Sequence, residues 1–149
     1  MEKSTQILVI GGGVAGIQAA LDSAEKGFEV NLIETGPSIG GVMSKLDKTF
    51  PTNDCSMCIL APRLVAAARH PNINIITSAQ VKEIKGKAGD FKVKILKKAR
   101  YVDLDKCTGC GDCTEACPVE VPNKYEENLT NRKVIYRPFA QATPSAFGI

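Results

Sequence analysis

Residues 7–16 read ILVIGGGVAG, a short apolar run that leads directly into a glycine-rich turn. Apolar residues then recur at helical spacing from Val14 to Lys26, and Gly27 ends the pattern. A second apolar run, Phe28–Ile33, closes with the acid Glu34. This order predicts a strand, a tight turn, a helix and a second parallel strand, which is the βαβ unit of an α/β fold.

The glycines Gly11, Gly13 and Gly16 have the spacing G-x-G-x-x-G. In such a turn the first glycine permits the bend, the second lets the backbone approach a pyrophosphate, and the third packs the helix on the strand. The helix N-terminus at Val14 and Ala15 then faces the phosphates. We therefore expect a Rossmann-like unit that binds a dinucleotide.

Glu34 follows Gly11 by 23 residues, at the end of the second strand. A carboxylate at this position accepts hydrogen bonds from both hydroxyls of the adenosine ribose, and it leaves no room for a 2′-phosphate. The acid therefore argues against NADP. Gly40 and Gly41 come next along the chain, where they let the backbone lie close to the cofactor.

The remaining α/β half alternates helical and extended patterns. Helical spacing covers Gly40–Leu46 and Cys55–Arg69, and Pro62 must lie in a first turn or produce a kink. Extended runs are predicted at Asn74–Thr77 and, as a hairpin around Gly86–Asp90, at Gln80–Lys85 and Phe91–Lys97. We place a domain boundary near residue 100, with residues 1–99 and residues 100–149 each forming part of a larger domain.

Four cysteines share one local pattern. Cys107, Cys110, Cys113 and Cys117 read C-x2-C-x2-C-x3-C, with Pro118 directly after them. This is the bacterial ferredoxin run for [4Fe-4S] clusters, and a zinc site more often has two cysteine pairs with a longer spacer. In two-cluster ferredoxins the fourth cysteine of the run serves the other cluster. Cys117 therefore either completes the local cluster or, as we favour, belongs to a second cluster whose motif is not in these residues.

Cys55 and Cys58 lie one turn apart at the start of a predicted helix, where the helix dipole favours thiolates. Three interpretations remain open from the sequence. The pair is a set of metal ligands, a redox dithiol, or two small buried apolar side chains.

Composition restricts the class of protein. The net charge of +3 is spread along the chain, and the Lys-rich stretch between residues 81 and 100 alternates as a solvated strand does, so nucleic acid is not an expected partner. The first apolar run is too short for a signal or membrane segment, which predicts a cytoplasmic protein without a membrane span. Six cysteines in such a chain favour ligation over disulfides.

Longer segments carry a family resemblance. The glycine fingerprint, PTNDCSMCIL at residues 51–60, RHPNI at residues 69–73 and the ferredoxin run occur in the order seen in the A subunit of heterodisulfide reductase. The chain closely resembles that family over nearly its whole length, and it is similar to the A subunit of quinone-interacting membrane-bound oxidoreductase. The stretch ETGPSIGG at residues 34–41 resembles the glutathione reductase class of flavoproteins, which implies FAD and a β-meander at the predicted hairpin.

The resemblance implies an oxidoreductase subunit that carries FAD and [4Fe-4S] clusters and acts in electron bifurcation and methanogenesis. It also implies partners: other heterodisulfide reductase-type subunits, an electron-input subunit of the hydrogenase or formate dehydrogenase type, and ferredoxin. Catalysis by this short piece alone is not expected. The alternative is a small ferredoxin-like electron carrier or assembly module without tight flavin. A complete pyridine-nucleotide flavoenzyme would need a second glycine-rich βαβ unit.

Overall fold

A computed structural model describes residues 6–149 of the chain. Its helices and strands are β1 (Gln6–Ile10), α1 (Val14–Glu25), β2 (Glu29–Ile33), α2 (Ser56–Arg69), β3 (Ile73–Ile76), β4 (Ala79–Lys87), β5 (Asp90–Lys97), α3 (Asp112–Glu115), β6 (Glu120–Pro122) and β7 (Asn131–Lys133), with 3-10 turns at Gly41–Lys45 and Lys124–Glu126. The predicted βαβ unit, second helix and hairpin are all present. None of the helices within residues 6–149 has the length and apolar character that crossing a membrane requires.

The first three strands form one parallel sheet in the order β1, β2, β3. The central strand β2 lies between β1 and β3, and its apolar side chains Val30, Leu32 and Ile33 are buried. Parallel strands align their carboxyl ends, so Ile10 pairs with Ile33 at the last position of each strand. The residues that follow, Gly11 and Glu34, therefore lie side by side at one edge of the sheet.

Two helices pack against this sheet and bury one stripe each. The buried side chains share helical spacing, and they are Ile17, Ala20, Leu21 and Ala24 of α1 with Leu60, Leu64 and Ala67 of α2. Pro62 lies in the interior of α2, beyond the first turn, which excludes the first of the two alternatives that the sequence left open. Since proline has no N–H, the carbonyl of Cys58 loses its helical hydrogen bond.

The turn of the hairpin β4–β5 contains fewer residues than the sequence predicted. The ladder extends to the pair Lys87 and Asp90, so only Ala88 and Gly89 are left to make the turn. Gly89 has a φ of 83°, which glycine adopts at little cost. Most of the hairpin is exposed, including Phe91.

The segment after β7 returns to the α/β half, which periodicity did not predict. Ile39 donates its backbone N–H to the carbonyl of Thr143 at 2.9 Å, and Phe139 packs against the main core. Ala146 and Phe147 are buried as well. Residues 139–149 therefore connect the cysteine-rich module, which comprises residues 100–149, to the parallel sheet.

Arg100 connects these parts through its guanidinium group. It donates to the carbonyls of Pro37 at 2.6 Å and Phe147 at 3.1 Å, and to the hydroxyl of Thr77 at 3.1 Å. Burial lowers the pKa of Arg100, while the nearby Cys107 raises it. One side chain thus holds the loop after β2, the end of β3 and the C-terminal segment together.

Arg100→Met is expected to loosen the C-terminal segment, because it leaves partly buried carbonyls without a donor. The opening free energy of residues 139–149 should fall by about 2 kcal/mol, or roughly 30-fold in the opening constant. Amide hydrogen exchange of this segment measures the change. The exposed neighbour Lys98→Met is the control and should leave exchange unaltered, and equal exchange in both variants would contradict the role of Arg100.

Candidate functional site

The glycine turn between β1 and α1 leaves the start of the helix open. Gly11 has a φ of 103°, and its N–H donates to the carbonyl of Ile33 at 2.8 Å. Gly13 is the N-cap of α1, and within residues 6–149 no side chain caps it. The N–H groups of Val14 and Ala15 lie in the first turn and have no acceptor within the helix. N–H groups at the positive end of a helix dipole are available to bind an anion.

Other glycines of this region lie where two backbone segments are too close together for a side chain. A Cβ at Gly16 would overlap the carbonyl oxygen of Gly11, so helix and turn touch only because Gly16 has no side chain. Gly40 donates to the carbonyl of Gly12 at 2.7 Å. At Gly41, which has a φ of 57°, a Cβ would lie 2.9 Å from the Cα of Gly13. The second pair of glycines therefore lies against the phosphate-binding turn.

Glu34 lies at the same edge of the sheet with both oxygens engaged. Oε2 accepts from the N–H of Gly12 at 2.7 Å, and Oε1 accepts from the N–H of Gly36 at 2.6 Å. The Thr35 hydroxyl also donates to Oε1, at 3.0 Å. These bonds fix the carboxylate beside the turn, and its remaining lone pairs can accept from ribose hydroxyls. The arrangement fits the adenosine part of FAD.

Glu34→Gln is expected to lower FAD affinity by about 10- to 100-fold, because an amide nitrogen cannot accept the hydrogen bonds that a carboxylate oxygen accepts. Titration of the flavin-free protein with FAD measures the affinity. Glu29→Gln, at the other end of β2, is the matched control and should bind FAD normally. Equal affinities in the two variants would contradict the ribose-binding role.

A cavity of about 310 Å³ is lined by residues 34–45, which include the second pair of glycines, and by residues 124–139 of the cysteine-rich module. One wall includes Glu34, Gly41 and Val42. The opposite wall includes Tyr125 and Arg132, which the sequence did not single out.

The cysteine run forms a second concave site. Cys107, Cys110 and Cys113 line one cavity of about 260 Å³, and the ring of Phe147 closes part of it. Gly109 and Gly111 between them have φ values of 75° and 100°, which let the loop curve around the cavity. The predicted wrapping of the loop around a cluster is compatible with this backbone.

Cys117 does not line that cavity. Its Sγ lies 3.6 Å from the carbonyl of Val119, on the side of β6 and β7. Backbone hydrogen bonding at Val119 and then at Ile135 lowers the pKa of Cys117, and the charge of Lys133 acts in the same direction. Three cysteines thus line one cavity, and the thiol of the fourth lies beside the carbonyl of Val119.

The four cysteines of the run do not meet at one point in the described residues. Across residues 6–149, no three Cys, His, Asp or Glu side chains come close enough to share one metal ion. A cubane lies between its thiolates and needs them further apart, around an open space such as the cavity beside Cys110. All four thiols are free.

Cys55 and Cys58 are joined by a disulfide. Neither sulfur can be a thiolate ligand in this form, so metal binding by the pair stays a prediction for its reduced state. The general expectation that the cysteines form no disulfide is wrong for this pair, whereas the other four cysteines form none and their ligand role stays a prediction. His70 is the C-cap of α2, and its Nδ1 accepts from the N–H of Asn72 at 3.2 Å, in agreement with a capping role.

Family models match both halves of the chain. The model described as FAD dependent oxidoreductase matches residues 6–56, which contain the glycine turn and Glu34. The model described as 4Fe-4S binding domain matches residues 98–119, which contain the four free cysteines. The cofactors expected from the sequence, FAD and a [4Fe-4S] cluster, are therefore confirmed, and the assignment of individual ligands stays a prediction.

Curated relatives are similar over the whole chain. The iron-sulfur subunit numbered A 2 of CoB–CoM heterodisulfide reductase from Methanopyrus kandleri is 62% identical over 149 residues, which is 100% of this chain and 23% of that protein. The A subunit of the H(2):CoB-CoM heterodisulfide,ferredoxin reductase from Methanothermobacter marburgensis is 60% identical over 92% of this chain and 21% of its own length. The A subunit of the H(2)/formate:CoB-CoM heterodisulfide,ferredoxin reductase from Methanococcus maripaludis is 56% identical over 95% of this chain and 22% of that protein. The chain thus spans about a fifth of the length of the curated relatives it matches.

Solved structures share the fold of the α/β half. L-proline dehydrogenase from P. horikoshii superposes with a TM-score of 0.52 at 27% identity, over 62% of this chain and 19% of that chain. Thioredoxin reductase from T. acidophilum superposes with a TM-score of 0.52 at 21% identity, over 61% of this chain and 30% of that chain, and shows the fold alone. The Rossmann-like fold is confirmed.

Proposed function

Because this chain is homologous throughout its 149 residues to the A subunit of heterodisulfide reductase, we propose that it is the FAD and [4Fe-4S] electron-transfer unit of a heterodisulfide reductase-type oxidoreductase. The proposed flavin ligands are Gly11, Gly13, Val14, Ala15, Gly16, Glu34, Gly40 and Gly41. The proposed cluster ligands are Cys107, Cys110 and Cys113, with Cys117 assigned to a second cluster. The boundary near residue 100 separates the two cofactor-binding parts.

The observation that carries the proposal is a direct contact between these parts. The Tyr125 hydroxyl donates to the carbonyl of Ser44, in the turn that follows the second glycine pair. Lys45 lies 3.4 Å from the carboxylate of Glu127 and 3.3 Å from the carbonyl of Lys124. The exposed ion pair contributes little by itself, but together these contacts fix one cofactor site against the other. Electron transfer needs such a fixed separation.

The chain places polar groups beside both proposed cofactor sites. The N-terminus of α1 supplies N–H groups for the pyrophosphate, and Glu34 orients the ribose. Near the cluster loop, burial lowers the pKa of the Arg100 guanidinium, and the neighbouring Cys107 acts on it in the opposite direction. When bound, FAD accepts an electron pair and passes electrons on singly, and a [4Fe-4S] cluster carries one electron at a time.

We extend the proposal to flavin-based electron bifurcation within a complex. The names of two relatives include hydrogen, ferredoxin and a heterodisulfide, and one of them also includes formate. These names support partners of three kinds: thiol-reducing heterodisulfide reductase-type subunits, an electron-input subunit of the hydrogenase or formate dehydrogenase type, and ferredoxin. The sources of these relatives fit a role in methanogenesis.

The test is anaerobic purification of the full-length protein with quantitation of FAD, iron and acid-labile sulfide per chain. We expect near-stoichiometric FAD with about four irons for each cubane, and bleaching of both chromophores in one reductive titration. Iron and sulfide without flavin would contradict the proposal and would favour the ferredoxin-like carrier.

A further inference from the structure

The disulfide between Cys55 and Cys58 has no part in either cofactor site described above. Both cysteines are exposed, and their Cα atoms are 5.2 Å apart. The other four cysteines form no disulfide, so within the described chain these two are set apart by their bond to each other. A solvent-accessible pair with two residues between the cysteines can open and close without a large movement of the backbone.

The start of α2 favours a thiolate at Cys55 when the pair is reduced. Cys55 is the N-cap of this helix, and its Sγ accepts from the N–H of Cys58 at 3.1 Å. The 14 residues of α2 place a positive dipole end at the same point, and its first turn contains no acidic side chain. A thiolate so stabilised is both the attacking sulfur and a good leaving group.

The segment around the pair is held independently of the disulfide. The fully buried Ser56 donates its hydroxyl to the carbonyl of Leu46, and its N–H donates to the carbonyl of Asp47 at 3.2 Å. Thr49 donates to the carbonyl of Asp54 at 2.9 Å. Because these bonds do not involve either sulfur, we expect both thiols to stay adjacent after reduction.

Small molecules have a route to the pair. Cys58 opens onto a groove of about 640 Å³ along α2, whose walls are mainly the apolar side chains of Ala61, Pro62 and Val65. The amide of Gln141 is the polar group at this groove. A short thiol can therefore lie beside the Cys58 sulfur in this groove, and Cys55 is reached directly from solvent because it is exposed.

We propose that Cys55 and Cys58 form a thiol–disulfide exchange site for small thiols and their disulfides. In the reduced pair, the Cys55 thiolate attacks one sulfur of a substrate disulfide, the substrate S–S bond breaks, and the released thiolate takes up a proton. Cys58 then loses its proton and attacks the Cys55 sulfur of the mixed disulfide, which forms the internal disulfide and releases the second thiol. The pair loses two electrons and two protons, and the substrate gains both. Two equivalents of an external thiol reverse these steps.

The test equilibrates the full-length protein anaerobically in glutathione buffers that span a wide range of reduced to oxidised glutathione. Alkylation, digestion and mass spectrometry then give the oxidised fraction of the peptide with Cys55 and Cys58. We expect the ratio of dithiol to disulfide to follow the square of reduced glutathione divided by oxidised glutathione. A pair that stays closed at every ratio would show a structural disulfide and overturn the proposal.

Single variants identify the attacking sulfur. With oxidised glutathione, reduced Cys58→Ser should trap one glutathione on Cys55, and reduced Cys55→Ser should form its adduct at least tenfold more slowly. Met57→Leu, between the two cysteines, is the control and should cycle like the unaltered protein. Loss of iron and sulfide in Cys55→Ser would show a cluster ligand instead and overturn the proposal. FAD and cluster content are read on the same samples, so failure of the electron-transfer function is distinguishable from failure of exchange.

Discussion

Gly13→Ala is expected to abolish flavin binding while the fold and the iron–sulfur content stay intact. Gly13 has a φ of −76°, which alanine adopts without strain, and a Cβ built there meets no atom within 4 Å. The free space around Gly13 is the space that a pyrophosphate must enter to reach the N–H groups of α1. The substitution thus fills the ligand position and disturbs nothing else. We expect at least a 100-fold loss of FAD affinity, equivalent to about 2.8 kcal/mol.

Two other glycines make this prediction specific. Gly16→Ala places its Cβ on the carbonyl of Gly11, so it should lower both the stability of the fold and flavin binding. Gly89→Ala, in the hairpin turn, also meets no neighbouring atom and should keep full flavin content despite its positive φ. Flavin fluorescence after denaturation, thermal unfolding and iron content separate the three cases. Retention of tight FAD in Gly13→Ala would contradict the assigned phosphate position.

The βαβ unit was predictable because its signals are local. Apolar runs, helical spacing and the glycine turn each depend on neighbouring residues, so the strands β1 and β2 and the helix α1 follow from the sequence with bounds correct to within a residue or two. Glu34 was predictable for the same reason, since parallel strands of equal length bring it beside Gly11. The structure adds its backbone partners, the N–H groups of Gly12 and Gly36.

Long-range contacts were not predictable from periodicity. The segment around Thr143 pairs with Ile39, and the Tyr125 hydroxyl reaches Ser44, although more than 80 residues separate each pair in sequence. Nothing local in the proline-containing tail indicates that Phe147 is buried. Contacts of this kind depend on how finished elements pack. Patterns along one sequence therefore predict the cofactors, but they do not predict the contacts between the α/β half and the cysteine-rich module.

The fourth cysteine shows the same limit in the cluster site. The spacing C-x2-C-x2-C-x3-C left open whether Cys117 binds the local cluster. In the structure, residues 114–116 separate the last two cysteines and include the end of α3. The Cys117 thiol then lies beside the carbonyl of Val119, just before β6. The position of this side chain, which no motif specifies, favours the second interpretation, and the assignment of Cys117 stays a prediction.

Cys113→Ser and Cys117→Ser are expected to remove different clusters from the full-length protein. Cys113 lines the cavity with Cys107 and Cys110, so its loss should cost about four irons and the spectrum of the local cluster. Cys117 lies outside that cavity, so Cys117→Ser should keep this spectrum and lose the signal of another cluster. Thr114→Ser, whose hydroxyl bonds the carbonyl of Ile135, is the control and should keep all clusters.

Electron paramagnetic resonance of the reduced variants, together with iron analysis, distinguishes these outcomes. Loss of the same signal in both cysteine variants would show that Cys117 completes the local cluster and that the loop closes around it on metal binding. Loss of different signals would place Cys117 on the route from the local cluster to the next one. Since Cys117 and Cys113 belong to one short segment, the second outcome would also fix the two clusters at a constant separation, which is the condition for rapid passage of single electrons away from the flavin.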